Sequence, residues 1–146
     1  MTDGVTVALA VEADRSDVSL LRVALWPDSG EDQYPLEPDG DEVYLIARTA
    51  SGAAAGFAEL SLRHDYVSGC DTSPVAFLEG IYVVPQQRRL GIAREIVATA
   101  EQWARSRGCT EFGSDALLDN LASHRMHAAL GFAEVSRVVS FRKALD

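Results

Sequence analysis

Not one lysine or arginine stands between Arg22 and Arg48. The same interval holds seven acids, Asp28, Glu31, Asp32, Glu37, Asp39, Asp41 and Glu42, which carry −7 of the chain's formal charge of −9. An acidic surface of this kind repels nucleic acid and attracts cations. The stretch therefore reads either as a solvated loop or as a funnel for a polycationic substrate, and no nucleic-acid partner is expected. Cysteine is scarce: Cys70 and Cys109 lie far apart and form no Cys-x-x-Cys pair, which argues against a disulfide framework and a metal site. No apolar run approaches a membrane span, and residues 1–11 lack the basic start and long apolar core of a secretory signal. No membrane partner is expected, and the cytoplasm is the expected compartment. Repeats, low-complexity segments and domain boundaries are missing as well. At 146 residues, with 47% hydrophobic and 24% charged side chains, the chain is expected to be one domain, 1–146. That length suffices to bury roughly two thirds of the unfolded surface.

What is present is organised around residues 75–94. Val75-Ala76-Phe77-Leu78 and Ile81-Tyr82-Val83-Val84 are β-branched, aromatic and apolar, and Glu79-Gly80 interrupts them. This predicts a buried strand with a bulge or kink at Gly80, ended by Pro85, which has no N–H for a ladder. Arg88-Arg89-Leu90-Gly91-Ile92-Ala93 follows. Ile92, Ile96, Val97, Ala100, Trp103 and Ala104 then fall on one face of a helix, which ends near Arg107-Gly108. A helix start presents unpartnered N–H groups and partial positive charge, and Gly91 and Ala93 let an anion approach the backbone. With Arg88 and Arg89 beside them, the junction points to phosphate.

Around this centre, residues 5–11 predict a first strand, and Asp14 or Ser16 can cap a helix running to about Trp26, stopped by Pro27. Residues 28–41 read as a loop. Residues 42–49 and 55–63 predict a hairpin turning at Ser51-Gly52. Residues 64–74 form a polar loop, 110–114 a short strand, and a helix capped by Asp119 or Asn120 runs to Leu130. Residues 133–143 predict a last strand. Strands alternating with helices in this order imply a mixed α/β (α+β) sheet with helices on both faces.

The Arg88-x-x-Gly91-x-Ala93 run, after a bulged strand and before a helix, resembles the first cofactor motif of the GNAT N-acetyltransferases. Asn120-x-x-Ser123-x-x-Met126-His127-x-x-Leu130-Gly131-Phe132 is similar to the second motif of that family, with His127 where a Tyr is usual. The resemblance covers essentially the whole chain. It implies the GNAT fold: a mixed, mostly antiparallel sheet of six to seven strands, bulged and splayed at the central strand. It implies acetyl-coenzyme A as cosubstrate, no metal, and a homodimer. The implied cofactor residues are Ile81, Tyr82, Val83, Arg88, Arg89, Leu90, Gly91, Ile92, Ala93, Arg94, Asn120 and His127. His127 takes the place of the residue that protonates the leaving thiolate; histidine titrates near neutrality and can donate a proton. The alternative is a histidine that only lines the groove.

In the acceptor half, Leu25-Trp26-Pro27, Arg63-His64-Asp65-Tyr66-Val67-x-Gly69-Cys70, Phe77-Leu78-Glu79-Gly80-Ile81 and Ser114-Asp115 resemble aminoglycoside 6′-N-acetyltransferases. That resemblance implies acceptor contacts from Trp26, Tyr66, Glu79 and Asp115, with Glu79 also assisting deprotonation of the amine. The family's second acid is replaced by Ser136, and Glu134, on the same strand face, is the candidate to compensate. The chemistry agrees: carboxylates suit ammonium groups, and aromatic faces suit sugar rings and cations. Trp26 as a core residue and Asp115 as a loop cap are the structural alternatives. An N-acetyltransferase for another small amine or polyamine, and a non-catalytic acyl-coenzyme A-binding module, stay open as other functions.

Overall fold

The computed structural model describes residues 4–29 and 33–146. Glu31 and Asp32 of the acidic interval therefore lie outside the described residues. The chain divides into two compact units, Met1–Asp115 and Ala116–Asp146.

The first unit is a five-stranded sheet in the order β1-β2-β3-β4-β5. β1 (Thr6–Leu9), β2 (Glu42–Arg48), β3 (Ala54–Arg63) and β4 (Val75–Val83) form an antiparallel meander, and β5 (Phe112–Ser114) pairs with β4 in parallel. The parallel step requires a crossover, which α2 (Ile92–Ser106) supplies. α1 (Arg15–Leu25) connects β1 to the acidic loop.

Strand alternation divides the core. On one face Tyr44, Ile46 and Phe57 pack with Val18 and Leu21 of α1 and with Leu36. The intervening residues Val43, Leu45, Ala58 and Leu60 are also buried. α2 packs against β2, β3 and β4 and buries the six residues its periodicity singles out: Ile92, Ile96, Val97, Ala100, Trp103 and Ala104. Both faces being covered explains why β2 is an unbroken apolar run from Val43 to Ala47. Gly108, with φ +82, closes α2.

Asp14 occupies the N-cap position of α1 but does not cap it. Its Oδ2 accepts the Val11 N–H at 2.9 Å and its Oδ1 accepts from Arg48 at 2.7 Å. The carboxylate thus ties β2 to the segment ahead of the helix.

In the second unit, α3 (Leu121–Ala129) is capped by Asn120, whose Oδ1 accepts the Ser123 N–H at 3.2 Å. No residue of α3 is buried. Residues 133–146 form no strand, which corrects the expected strand over 133–143 and reduces six to seven strands to five. A strand is completed by a ladder and not by its own alternation. Val135, Val138, Val139 and Phe141 are exposed, Phe141 to 92%.

Candidate active site

The irregularity in β4 falls at Glu79. Glu59 pairs with Gly80 and Leu60 with Leu78, so Glu79 is the extra residue of a bulge, one place before the expected Gly80. Gly80 is required by packing. A Cβ there would stand 2.3 Å from Trp26 Cζ2 and 2.9 Å from Leu25 Cδ2. Trp26 is half-buried, edge-on to Phe57 at 6.3 Å, so it serves the core while its ring covers the bulge.

The Glu79 carboxylate is held from β3. Ser61 Oγ donates to Oε2 at 2.5 Å. Arg63 Nη2 donates to Oε1 at 2.9 Å and to Oε2 at 2.8 Å, and Arg63 Nε to Oε2 at 3.2 Å. The guanidinium rests 3.5 Å over the Phe77 ring.

Glu79 also lines a cavity of about 370 Å³ together with Arg22, Glu42, Tyr34, Tyr44 and Glu59. The Tyr44 hydroxyl and Arg22 Nε, the latter at 3.3 Å, both donate to Glu59 Oε1. Burial first, and then the Glu59 carboxylate, push the Tyr44 phenol far above its usual range, so it remains a neutral donor. The Arg22 guanidinium lies 4.6 Å over Tyr34. Sequence reading missed Glu59, Tyr44 and Arg22. A signal was present, since Glu59 interrupts an apolar strand just as Glu79 does.

β5 pairs with β4 only at Ala76–Phe112, Phe77–Gly113 and Leu78–Ser114. The next residues along the two segments are Glu79 and Asp115, one place beyond the last paired row. Asp115 is exposed and does not line the cavity. Beyond this row β4 continues to Val83 with no paired strand on its β5 side among the described residues. Val84 N–H bonds Ala55 O on the β3 side, at 2.9 Å. Alternation therefore turns the Ile81 and Val83 backbone groups away from β3, and there Val83 O accepts from Arg88 Nε at 2.8 Å. The Arg88 guanidinium sits 5.3 Å from the Tyr82 ring centre.

The strand leads into the phosphate-type loop. Arg89 has φ +65 and Gly91 φ +83. Gly91 is the N-cap of α2 and supplies no side-chain acceptor. The helical ladder begins with Glu95 N–H to Gly91 O at 3.1 Å, so the amides of Ile92, Ala93 and Arg94 precede it. The Ile92 side chain is buried, and its part at this site is backbone only. A pyrophosphate fits here: amides, a left-handed glycine and arginines, with Leu90 exposed beside them.

Tyr66 is 82% exposed. Its neighbour Val67 anchors the loop by packing with Val75 and Phe77.

In the second unit His127 Nδ1 bonds the Ser123 carbonyl at 2.7 Å and is 3.3 Å from Ser123 Oγ, and the ring meets Phe132 edge-on at 5.2 Å. A carbonyl only accepts, so Nδ1 carries the proton in that bond. Glu134 accepts from Arg137 Nε at 2.6 Å. That hydrogen bond, followed by the guanidinium charge, holds its carboxyl below the usual range. No strand forms here, so no ladder fixes the directions of Glu134 and Ser136.

The acetyltransferase (GNAT) family model matches residues 12–132. The chain belongs to the GNAT acetyltransferase family. This GNAT chain is an acetyl-coenzyme A-dependent N-acetyltransferase. It is 48% identical over 136 residues to an aminoglycoside N(6′)-acetyltransferase type 1 of Acinetobacter baumannii, covering 90% of this chain and 93% of that protein. Against the crystal structure of the aminoglycoside 6′-N-acetyltransferase AAC(6′)-Ih from Acinetobacter baumannii the TM-score is 0.91, at 45% identity, covering 98% of this chain and 100% of that one. A structure of AAC(6′)-Iy in complex with the bisubstrate analogue CoA-S-monomethyl-acetylneamine matches with a TM-score of 0.89, at 38% identity, covering 97% and 99% of the two chains.

Proposed function

We propose that this GNAT enzyme transfers the acetyl group of acetyl-coenzyme A to the 6′-amine of aminoglycosides, and so is able to confer resistance to them. The observation that carries this reading is Glu79. It is the bulged residue of β4, at the point where β5 leaves the sheet, and it lines a cavity shared with Glu42 and Glu59 and faced by two tyrosines. Three carboxylates lie against Arg22 of the lining and Arg63 on Glu79, leaving one uncompensated carboxylate that an ammonium group neutralises, and the tyrosines offer faces to sugar rings. The relatives that match across most of this chain are named for the same reaction.

In this reading the loop from Arg88 to Arg94 binds the pyrophosphate. The amides of Ile81 and Val83 receive the thioester carbonyl and the oxyanion that develops there. Glu79 takes up the amine and assists loss of its proton. Asp115, Trp26 and Tyr66 contact the acceptor, with Glu134 and Ser136 at its margin. Asn120 contacts the pantetheine arm and His127 protonates the departing thiolate. The two units act as one acetyltransferase domain, consistent with a family match that runs from residue 12 to residue 132. The exposed apolar residues of 133–146 suit a homodimer. No helix among the described residues is long and apolar enough to cross a membrane, and the expected site of action is the cytoplasm.

Glu79→Gln preserves shape and removes charge. The variant is expected to bind acetyl-coenzyme A normally while losing most thiol release with a kanamycin-type acceptor. A parent enzyme that acetylates simple polyamines well but no 6′-amino aminoglycoside would overturn the substrate assignment.

A further inference from the structure

Glu79 is a bulge residue, so the β3–β4 ladder does not set its direction. Something else must aim it. Two side chains on β3, Ser61 and Arg63, occupy alternate positions on one face of that strand and converge on the carboxylate. Their contacts are unequal between its oxygens. Oε2 receives Ser61 Oγ at 2.5 Å, Arg63 Nη2 at 2.8 Å and Arg63 Nε at 3.2 Å, whereas Oε1 receives only Arg63 Nη2, at 2.9 Å. A carboxylate oxygen has about two lone-pair directions. Oε2 is saturated and Oε1 keeps capacity.

Arg63 is itself held. Its planar guanidinium lies 3.5 Å from the Phe77 ring centre, and Phe77 is fixed in the core with Val67 and Val75. A stacked, planar fork has few orientations available, and lysine offers no equivalent.

We infer that Arg63 is the positioning residue of the acceptor site: with Ser61 it pins Oε2 of Glu79 and so presents Oε1 to the incoming amine. This rests on the reading of Glu79 given above. The sequence places Arg63 at the head of a family-like loop but assigns it no role, because that role exists only once the bulge brings Glu79 beside it. The pair is partly exposed, with side chains 40% and 26% accessible, so its worth lies in orientation more than in stability.

A double-mutant cycle on the full chain tests this. Kinetics are followed by thiol release with whichever amine the parent acetylates best, which keeps the test independent of the aminoglycoside assignment. Arg63→Ala is expected to lower kcat at least tenfold, with the KM for acetyl-coenzyme A within about twofold, because misplacement of a reacting group costs rate. Arg63→Lys should recover only part of that loss, and Ser61→Ala should lose less than Arg63→Ala. In a Glu79→Gln background, Arg63→Ala should cost less than about threefold, since residues acting as a unit are not additive. Glu79→Asp serves as the background if Glu79→Gln leaves no measurable rate. Equal losses in both backgrounds would overturn the inference, as would full activity in Arg63→Ala. If Arg63→Ala does not fold, Arg63→Lys and Ser61→Ala carry the cycle.

Discussion

Glu59 faces Gly80 directly across the β3–β4 ladder, and the residue that this pairing skips is Glu79. One displaced residue accounts for several features together. It brings Glu79 within reach of Ser61 and Arg63. It leaves Glu79 and Glu59 lining one cavity. It also places under the Trp26 ring a position where only a missing side chain fits.

That last point is directly testable. In Gly80→Ala the new methyl would overlap Trp26 and Leu25, and the large ring must leave its place in the core. We expect a destabilisation of about 1–3 kcal/mol and a raised acceptor KM, with acetyl-coenzyme A affinity unchanged. Denaturant unfolding and calorimetry check the two halves. An unaltered unfolding midpoint would mean that Trp26 is not held against the bulge.

At the other end of β4, Gly91→Asp places a carboxylate at the left-handed N-cap of α2. Repulsion between like charges 4 Å apart near a protein surface is about 4 kcal/mol, or roughly a thousandfold in Kd. Calorimetric titration with acetyl-coenzyme A should show binding lost, and unchanged affinity would remove the phosphate assignment.

His127 donates Nδ1–H to the Ser123 carbonyl, so only the imidazolium can offer a proton from Nε2. We expect His127→Ala to lower kcat by about a hundredfold, more than it raises KM. His127→Tyr should restore activity. Parent-like kcat in the Ala variant would assign thiolate protonation to solvent.

The acidic loop divides into different roles. Asp41 is committed, accepting from Arg107 at 2.7 Å and lying 3.1 Å from His64. Asp39 and Glu42 are exposed. Asp39→Asn with Glu42→Gln should therefore reduce kcat/KM for a polycationic acceptor at low salt. The difference should shrink toward 0.15 M, where the screening length is about 8 Å. Identical salt dependence in parent and variant would leave the segment a solubility loop.

The sequence by itself determined the elements whose information is local. The buried stripe of α2 from Ile92 to Ala104, the end of β4 ahead of Pro85 and the capping of α3 by Asp119 or Asn120 are each written within a few residues, because helical periodicity and cap chemistry act at that range. Tertiary structure alone decided the rest. Glu59, Tyr44 and Arg22 come from three separate elements. The grip of Arg63 on Glu79 depends on where one bulge falls in a pairing of distant strands. The alternation in residues 133–143 predicted a strand that the described residues do not form, because a strand is completed by a partner and not by its own pattern.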